Sequence, residues 1–185
     1  MDEEIKAIEQ KIMALKEERT ALWRKRAPEP VKDYSFRTAD GAVTLSSLFG
    51  DRDDLLIVHN MGAGCAYCTL WADGLNGLLH HLQSRAAFTV CSPDTPETQA
   101  KFASGRGWKF RMVSEDGPEF TKDMGFLVDE GHWPGVSAFR RAADGSITRT
   151  GWSFFGPGDD YCSVWPLFDM LDKGADGWEP KYRYE

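Results

Sequence analysis

The sequence predicts an α/β fold in which helices cover both faces of one central mixed β-sheet. Two short apolar runs, residues 55–59 and 87–92, have the length and composition of buried strands. Each run is followed by a stretch with helical character, and strands that alternate with helices lie parallel in one sheet. A turn signature at Ala143-Asp144-Gly145 predicts that an antiparallel hairpin closes the sheet, which makes the sheet mixed.

The chain begins with a predicted amphipathic helix over residues 2–26. Its apolar side chains recur at intervals of three and four residues, with charged side chains on the other faces, and they are Ile5, Ile8, Ile12, Leu15 and Leu22. Arg19 stands where the pattern would place another apolar residue. The spacing suits two alternatives: packing on the chain's own domain, which is favoured, or a coiled-coil homodimer through residues 2–26. Pro28 and Pro30 end the helix.

The rest of the chain, residues 28–185, is predicted to form one domain that follows the helical segment of residues 1–27. A helix is expected to begin at Cys65 and to reach about Arg85, with Gly74 and Gly77 as weak points. In chain order the predicted elements are a hairpin (34–38 and 42–45), a helical turn (46–50), a strand (55–59), the helix from Cys65, a strand (87–92), a helix (95–105), a strand (110–113), a helix (119–124), a hairpin (136–140 and 146–150), a helix (161–171) and a surface tail (174–185).

This order of elements is that of a thioredoxin-like three-layer sandwich with an N-terminal hairpin and an extra N-terminal helix. In that architecture the loop that faces the active cysteines carries a cis proline directly before the first strand of the final hairpin. Pro134 lies two residues before Val136 and is the candidate. Trp133 and Pro134 would then face the cysteines, and the neighbouring backbone would pair with a bound peptide.

Cys65 and Cys68 carry the strongest chemical signal in the sequence. They follow a predicted strand and the turn residues Gly62 and Gly64, so Cys65 lies at the start of the next helix. Unpaired N–H groups and the helix dipole favour an anion at that position, and they lower the pKa of a thiol placed there. Cys68 lies one turn further along on the same side, within reach of a disulfide formed by Cys65. The pair predicts redox chemistry with Cys65 as nucleophile and Cys68 as resolving thiol.

A structural zinc site is the main alternative for a close cysteine pair. Zinc requires four ligands, normally two such pairs or one pair with two closely spaced histidines. The other cysteines, Cys91 and Cys162, and the four histidines are scattered along the sequence. Redox use is therefore favoured, and neither a metal nor an organic cofactor is expected. Cys91 lies in an apolar strand, where a free cysteine usually serves packing.

Two polar residues near the pair have alternative interpretations. His59 ends the strand before the cysteines, where it would stabilise the Cys65 thiolate as a cation or move its proton, or would be a satisfied residue at a strand end. Asp73 lies eight residues after Cys65, where it would serve as base for Cys68 or begin a turn with Gly74, and the turn is favoured.

Two aromatic residues flank the motif, four residues apart. Tyr67 and Trp71 would form an apolar rim that grips a substrate, because aromatic side chains near a site often do so. For Trp71 a place in the core is an equal alternative.

The composition is that of a folded, acidic protein. The 185 residues are 42% hydrophobic, which supports a core, and the net charge of −7 argues against a nucleic-acid-binding surface. No apolar run approaches the roughly 18 residues of a membrane span, and the first residues are acidic rather than signal-like. We therefore expect a cytoplasmic protein with no membrane partner, in a compartment where structural disulfides are rare.

Several motifs resemble domain-of-unknown-function family 899, whose members are described as thioredoxin-like, predicted dithiol-disulfide oxidoreductases. The resemblance spans essentially the whole chain, and the motifs that carry it are His59-Asn60-Met61, Cys65-x-Tyr67-Cys68, Trp71-Ala72-Asp73-Gly74, Asp33-Tyr34-x-Phe36, Leu45-x-x-Leu48-Phe49, Gly107-Trp108-x-Phe110 and Gly177-Trp178-Glu179-Pro180-Lys181-Tyr182. It implies the thioredoxin fold and the redox pair but no particular substrate.

The early hairpin and the chain length are also similar to the peroxiredoxin branch of the fold. A typical peroxiredoxin has a threonine three residues before its peroxidatic cysteine, and this chain has Gly62 at that position. The dipeptide between the cysteines is Ala-Tyr, which differs from the Gly-Pro of thioredoxin, so a reducing direction does not carry over.

The sequence thus predicts a thiol-disulfide oxidoreductase whose partners are a disulfide or thiol substrate and a recycling reductant. Two alternatives stay open. One is a peroxiredoxin-like thiol peroxidase. The other is a non-catalytic thioredoxin-fold binding or scaffold protein that dimerises through its N-terminal helix.

Overall fold

Eight of the ten strands form one sheet in the computed structural model, which describes residues 2–184. The strands are β1 (Glu29–Val31), β2 (Ser35–Thr38), β3 (Gly41–Thr44), β4 (Asp54–His59), β5 (Ala87–Ser92), β6 (Arg111–Glu115), β7 (Leu127–Val128), β8 (Gly131–His132), β9 (Gly135–Arg141) and β10 (Ile147–Phe154). Their order across the large sheet is β1-β10-β9-β4-β5-β6-β2-β3, and β7 pairs with β8.

The centre of the sheet is parallel and its flanks are antiparallel. β4 pairs in parallel with β5, and β5 pairs in parallel with β6. β9 runs antiparallel to both β4 and β10. On the other flank β2 runs antiparallel to β6 and forms the predicted hairpin with β3. The predicted mixed, thioredoxin-like sheet is confirmed, and β4 leads from its middle into the cysteine pair.

Helices cover both faces of this sheet. They are α1 (Glu3–Lys25), α2 (Leu45–Leu48), α3 (Ala66–Gly77), α4 (Leu79–Arg85), α5 (Pro96–Arg106), α6 (Glu119–Asp123) and α7 (Val164–Asp169). Leu55 and Ile57 of β4 pack in one core cluster with side chains of α2 and α6. Val58 packs in a second cluster with side chains of α3, α4 and α7. Because successive side chains of a strand point to opposite faces, the two clusters fill the two interfaces of a three-layer sandwich.

The helix predicted from Cys65 to about Arg85 is divided in two. Leu78, between α3 and α4, donates its N–H to the carbonyl oxygens of Gly74 (3.3 Å) and Leu75 (3.1 Å). The division follows directly after Gly77, the second weak point in the sequence, because glycine loses more backbone entropy in a helix than other residues do.

The closing helix α7 is shorter than the predicted span of residues 161–171. The carboxylate of Asp159 accepts backbone N–H bonds from Gly156, Tyr161 and Cys162 at 2.8–3.1 Å. An aspartate that bonds to its own neighbouring backbone favours a turn. The helix therefore begins only at Val164.

Strands β1, β7 and β8 are missing from the sequence prediction. β1 contains Pro30, which argues against a strand, but it lies at the edge of the sheet beside β10, where proline is tolerated. β7 and β8 have two residues each and pair only with each other. Strands this short have no alternating pattern by which a sequence reveals them.

The N-terminal helix α1 forms as predicted, but the domain does not cover its apolar face. None of its residues is buried. The apolar residues of the predicted stripe, hereafter the α1 stripe, are between 39% and 64% exposed, and they are Ile5, Ile8, Ile12, Leu15 and Leu22. The favoured interpretation, in which this face packs on the chain's own domain, is therefore wrong.

α1 contacts the rest of the protein through residues beside the stripe and through Arg19. Trp23 packs edge-on against Trp152 with ring centroids 5.8 Å apart. Lys16 and Arg19 both bind the carboxylate of Asp160, at 2.5 and 2.9 Å. The contacts lie in the C-terminal half of the helix, so the N-terminal half extends away from them.

The predicted division of the chain into residues 1–27 and 28–185 stays a prediction. Residues 1 and 185, at the outer ends of these segments, lie outside the described residues. Within residues 2–184, none of the helices combines the length and the apolar character that crossing a bilayer requires.

Candidate active site

Hydrogen bonds fix the loop that joins β4 to α3. The side-chain oxygen of Asn60 accepts the N–H of Gly62 at 2.7 Å, and a carboxylate oxygen of Asp94 accepts the N–H of Ala63 at 2.7 Å. The carbonyl oxygen of Gly62 then accepts the N–H of Cys65 at 3.1 Å. This loop therefore delivers Cys65 to the first turn of α3 in a defined orientation.

A side chain at position 62 would strain the backbone and collide with Asp94. The φ of Gly62, +99°, lies in the left-handed region that favours glycine. A Cβ at this position would also lie 2.9 Å from both carboxylate oxygens of Asp94. A threonine, the residue typical of peroxiredoxins here, would therefore require the loop to change.

We expect Gly62→Ala to lower the free energy of unfolding by about 1–3 kcal/mol, because it strains the backbone and displaces the Asp94 carboxylate. Urea denaturation measures the change. Gly64→Ala is the matched control, since Gly64 lies in the same loop and a Cβ there would meet no atom within 4 Å. Equal stabilities of the two variants would contradict this account of the loop.

Cys65 is the N-cap residue of α3. Its sulfur accepts the backbone N–H of Cys68 at 3.1 Å, and its side chain is partly exposed. The pKa of Cys65 is lowered to about 6, first by the hydrogen bond from the side chain of Cys68 and then by the backbone N–H groups of Cys68 and Tyr67. Partial burial opposes these effects. At neutral pH the Cys65 sulfur is therefore mostly a thiolate.

Cys68 differs from Cys65 in both burial and acidity. It is only 3% exposed, and its sulfur accepts the N–H of Met61 at 3.4 Å. Its pKa is raised, first because its thiol donates to the Cys65 sulfur and second because it is buried. Cys68 thus keeps its proton and donates it in a hydrogen bond to the Cys65 sulfur. The negative charge lies on the more accessible Cys65.

Cys65 opens into an apolar groove of about 490 Å³. The walls come from α3, from the segment before β9 and from the segment after β10. The lining residues are Met61, Cys65, Tyr67, Trp71, His132, Trp133, Pro134, Phe155, Gly156 and Pro157. The structure thus brings Tyr67, Trp71, Trp133 and Pro134 together around the nucleophile, although they come from segments more than sixty residues apart in sequence.

The aromatic residues of the groove have different exposures. Trp71 is 2% exposed and belongs to the core beneath the groove, where its ring lies 5.5 Å from that of Phe155. Trp133 is 50% exposed and packs edge-on against Phe154 with centroids 5.9 Å apart. Tyr67 is partly exposed, and its ring centroid lies 6.2 Å from that of Trp71. Tyr67 and Trp133 are therefore the aromatic side chains available to a bound molecule.

The peptide bond before Pro134 is trans, so the prediction of a cis bond is wrong. Trans is the more stable form even before proline. The carbonyl oxygen of Pro134 accepts the N–H of Phe155 at 2.9 Å, and the N–H of Trp133 bonds to the carbonyl oxygen of Phe126 at 2.8 Å. These two backbone groups bond within the chain, and pairing of the neighbouring backbone with a bound peptide stays a prediction.

His59 lies on the other face of the sheet from α3. Its ring stacks on Phe126 at 3.9 Å and on Phe120 at 5.3 Å, and its Nε2 is 2.9 Å from the hydroxyl oxygen of Ser137. Burial lowers its pKa well below the usual value, and the nearby Arg149 adds to this effect. A neutral, buried imidazole on this face supplies no cation to the Cys65 thiolate. His59 is thus a strand-end residue, but it is only half satisfied, because among residues 2–184 its buried Nδ1 has no hydrogen-bond partner.

Asp73 has neither of the two roles considered from the sequence. It lies inside α3, and its carboxylate accepts hydrogen bonds from Nε and Nη2 of Arg106. The same carboxylate accepts the indole N–H of Trp108 at 2.7 Å. These contacts tie α3 to α5 and to the segment before β6. Asp73 therefore helps to position the cysteine helix, and within residues 2–184 no hydrogen bond joins it to Cys68.

The remaining cysteines are buried. Cys91 is 1% exposed in the core of β5, and burial raises its pKa well above the usual value. Cys162 is 8% exposed, and burial likewise raises its pKa. Among residues 2–184, no cluster of three or more His, Cys, Asp or Glu side chains has the geometry to hold a metal ion.

Sequence reasoning missed several residues of the site. Met61 lies beside the motif but gave no sign of its N–H bond to Cys68. Asp94, from the loop before α5, and His132, from β8, lie far from the motif in sequence, and only the fold brings them to the site. His132 Nε2 lies 3.5 Å from the buried carboxylate of Glu115, which does not line the groove itself. No local pattern marks such residues, because tertiary contacts alone define them.

The family described as "Bacterial protein of unknown function (DUF899)" matches residues 2–184 of the chain. No curated protein sequence matches the chain significantly.

Solved structures of peroxiredoxins have a similar fold. Reduced Prx3 from Vibrio vulnificus has a TM-score of 0.60 at 12% identity and covers 75% of this chain and 93% of its own. The peroxidoxin BcpB of Mycobacterium tuberculosis has a TM-score of 0.53 at 21% identity, with 66% and 82% covered. A peroxiredoxin-like protein from Aquifex aeolicus has a TM-score of 0.55 at 15% identity, with 70% and 75% covered. At these identities the likeness shows a shared fold.

Proposed function

The chain belongs to the DUF899 family of bacterial proteins of unknown function, and on that premise we propose that it is a thiol-disulfide oxidoreductase. The observation that carries the proposal is the asymmetry of the cysteine pair. Cys65 is accessible with a pKa lowered to about 6, and Cys68 is a buried thiol whose pKa is raised. A nucleophilic thiolate beside a protonated resolving thiol is the arrangement that disulfide exchange requires.

In the proposed reaction the Cys65 thiolate attacks one sulfur of a substrate disulfide. A Cys65–substrate disulfide forms, and the other substrate sulfur leaves as a thiolate that takes a proton from solvent. The Cys68 thiol then loses its proton and attacks the Cys65 sulfur, which releases the second substrate thiol. Two electrons have passed from the cysteine pair to the substrate, and the pair ends as a Cys65–Cys68 disulfide.

An external dithiol returns the pair to its reduced form by the same exchange. We place this cycle in the cytoplasm, where thiol reductants keep cysteines reduced. The direction in a cell follows from the potentials of the partners, since the same atoms serve oxidation of a thiol substrate.

The groove beside Cys65 favours substrates with apolar groups next to the reacting sulfur. Its accessible walls are the side chains of Met61, Tyr67 and Trp133. Such a surface binds an apolar residue of a protein substrate, or the apolar part of a small disulfide, by removing both from water.

The direct test is dithiothreitol-driven reduction of insulin disulfides by the purified protein. The proposal expects insulin to be reduced faster than by dithiothreitol alone. An equal rate with and without the protein, with this probe and with a small disulfide such as cystamine, would refute it.

The pH dependence of Cys65 alkylation tests the origin of its reactivity. Because the pKa of Cys65 is lowered to about 6, the rate with iodoacetamide should rise as the pH increases through about 6 and level off near neutral pH. An ordinary thiol rises near pH 8.5, the approximate free cysteine value. Mass spectrometry assigns the adduct to Cys65. A rise near the free value would favour the non-catalytic binding or scaffold alternative.

Thiol peroxidase activity is the second candidate, because the similar solved structures are named as peroxiredoxins. In that reaction the Cys65 thiolate would attack one oxygen of a hydroperoxide, the O–O bond would break, and the other oxygen would leave as an alcohol, or as water from hydrogen peroxide, after taking a proton. The Cys65 sulfenic acid that remains would then react with the Cys68 thiol to give a disulfide and water. Gly62 weighs against this chemistry, since a threonine there would strain the backbone and displace the Asp94 carboxylate that holds the loop. Consumption of hydrogen peroxide with dithiothreitol as donor separates the two activities.

A further inference from the structure

The α1 stripe is the largest set of apolar side chains that the described fold leaves uncovered on one element. α1 has 23 residues, none of them buried, and the body contacts the helix through Trp23, Lys16 and Arg19 in its C-terminal half. A helix of this length is about 34 Å long. An apolar stripe along such a length is the kind of surface that protein association covers.

The stripe has the spacing of a coiled-coil seam. In a heptad written a to g, Ile5, Ile12 and Arg19 occupy a positions, and Ile8, Leu15 and Leu22 occupy d positions. The flanking g positions hold Glu4, Lys11, Glu18 and Lys25, and the e positions hold Glu9, Lys16 and Trp23. Among residues 2–184, the g-position side chains form no ion pair, so their charges are available to a partner.

We propose that α1 pairs with α1 of a second copy of this chain, and that the two helices run antiparallel. In this arrangement the seam is centred on Ile12 of one copy against Leu15 of the other. The same register places Ile8 against Arg19 and Ile5 against Leu22. It uses the whole stripe and is self-complementary, as a two-fold symmetric interface must be.

The flanking charges select the antiparallel direction. Antiparallel helices bring g positions of the two copies together, so Lys11 meets Glu18 of the second copy. Glu4 likewise meets Lys25, and symmetry repeats each attractive pair. Charges at these positions decide the orientation of coiled-coil partners.

A parallel pair would place the same charges in conflict. Each g position would then lie beside the e position of the next heptad in the second copy. Glu4 would meet Glu9 of the second copy, and Lys11 would meet Lys16. All of these flanking charge pairs are repulsive, so the parallel dimer is disfavoured.

Arg19 is compatible with the antiparallel seam. Its guanidinium already binds Asp160 of its own chain, so its charge is paired at the edge of the seam. Its aliphatic stem is then free to lie along Ile8 of the second copy, as long basic side chains commonly do. The Asp160 contacts also hold the helix in place before association, which reduces the ordering that the dimer requires.

Sedimentation equilibrium of the full chain under reducing conditions tests the interface. We expect a mass of twice the 20.8 kDa chain at micromolar concentration. Leu15→Glu should weaken the dimer at least tenfold by placing a charge in the central layer. Met13→Glu is the matched control, because Met13 is 62% exposed on the same helix but lies outside the seam. A monomeric wild type, or equal effects of the two variants, would overturn the proposal.

A charge reversal tests the direction. Lys11→Glu faces Glu18 in the antiparallel dimer and should weaken it by about tenfold at low salt, since the change occurs twice in the dimer. Adding Glu18→Lys should restore the affinity to about that of the wild type. In a parallel dimer Lys11→Glu would face Lys16, so tighter association of this single variant would overturn the antiparallel arrangement. Circular dichroism verifies that each variant keeps its helix.

Discussion

Cys65→Ser is expected to reduce the protein-dependent rate of insulin disulfide reduction by about a thousandfold or more, to the rate of dithiothreitol alone. A serine hydroxyl is not ionised near neutral pH, so it supplies no anion to attack a disulfide. The fold should persist, because a serine oxygen at the N-cap still accepts the N–H of Cys68 that the sulfur now accepts. Activity and the urea midpoint are measured on the same preparation.

Cys162→Ser is the control for this experiment. It also replaces a cysteine with serine, but Cys162 lies beside the turn at Asp159 and does not line the groove. Its activity should stay close to that of the wild type. If Cys65→Ser kept its activity, the assignment of Cys65 as nucleophile would be refuted.

Cys68→Ala is expected to trap the reaction halfway and to raise the pKa of Cys65. With no resolving thiol, the mixed disulfide between Cys65 and a probe such as cystamine should persist, whereas the wild type should release the probe. The pKa should rise because the Cys68 thiol is the largest source of the lowered value. Mass spectrometry detects the adduct, and thiolate absorbance in the ultraviolet follows the titration.

Cys68→Ser separates these two roles of Cys68. A serine hydroxyl does not resolve the mixed disulfide, so the adduct should persist in both variants. The hydroxyl does donate a hydrogen bond to the Cys65 thiolate, so the pKa of Cys65 should lie closer to the wild-type value than in Cys68→Ala. Equal pKa values in the two variants would show that the side-chain hydrogen bond does not set the acidity of Cys65.

Much of the fold could be predicted because its signals are local. The apolar runs of β4 and β5, the two turn signatures and the capping threonine of α5 each lie within a few residues. The order of such elements along the chain is enough to indicate a mixed sheet covered on both faces. Short strands and helix ends escaped prediction because they depend on pairing partners and on turns such as that of Asp159.

The site was predictable in its centre and less so in its surroundings. The sequence places Cys65 at a helix start, and this position alone indicates an acidic thiol. The contact of Asp94 with the loop and the partners of Asp73 depend on residues 31 to 35 positions away in sequence. His59 is the clearest example of a residue whose role could not be predicted. It is close to the cysteine pair in sequence, but this closeness does not reveal that its side chain lies on the opposite face of the sheet.

The proline in β1 affects how copies of this protein meet. β1 forms one border of the large sheet, with Pro30 at its middle residue, and proline in a border strand directs its donor-free nitrogen to solvent. A strand added at this border would find no N–H at Pro30 to pair with its own carbonyl oxygen. The missing hydrogen bond discourages edge-to-edge pairing of sheets and the aggregation that follows from it. Self-assembly is thereby steered away from this border, and α1 remains available to bring two molecules together through helices.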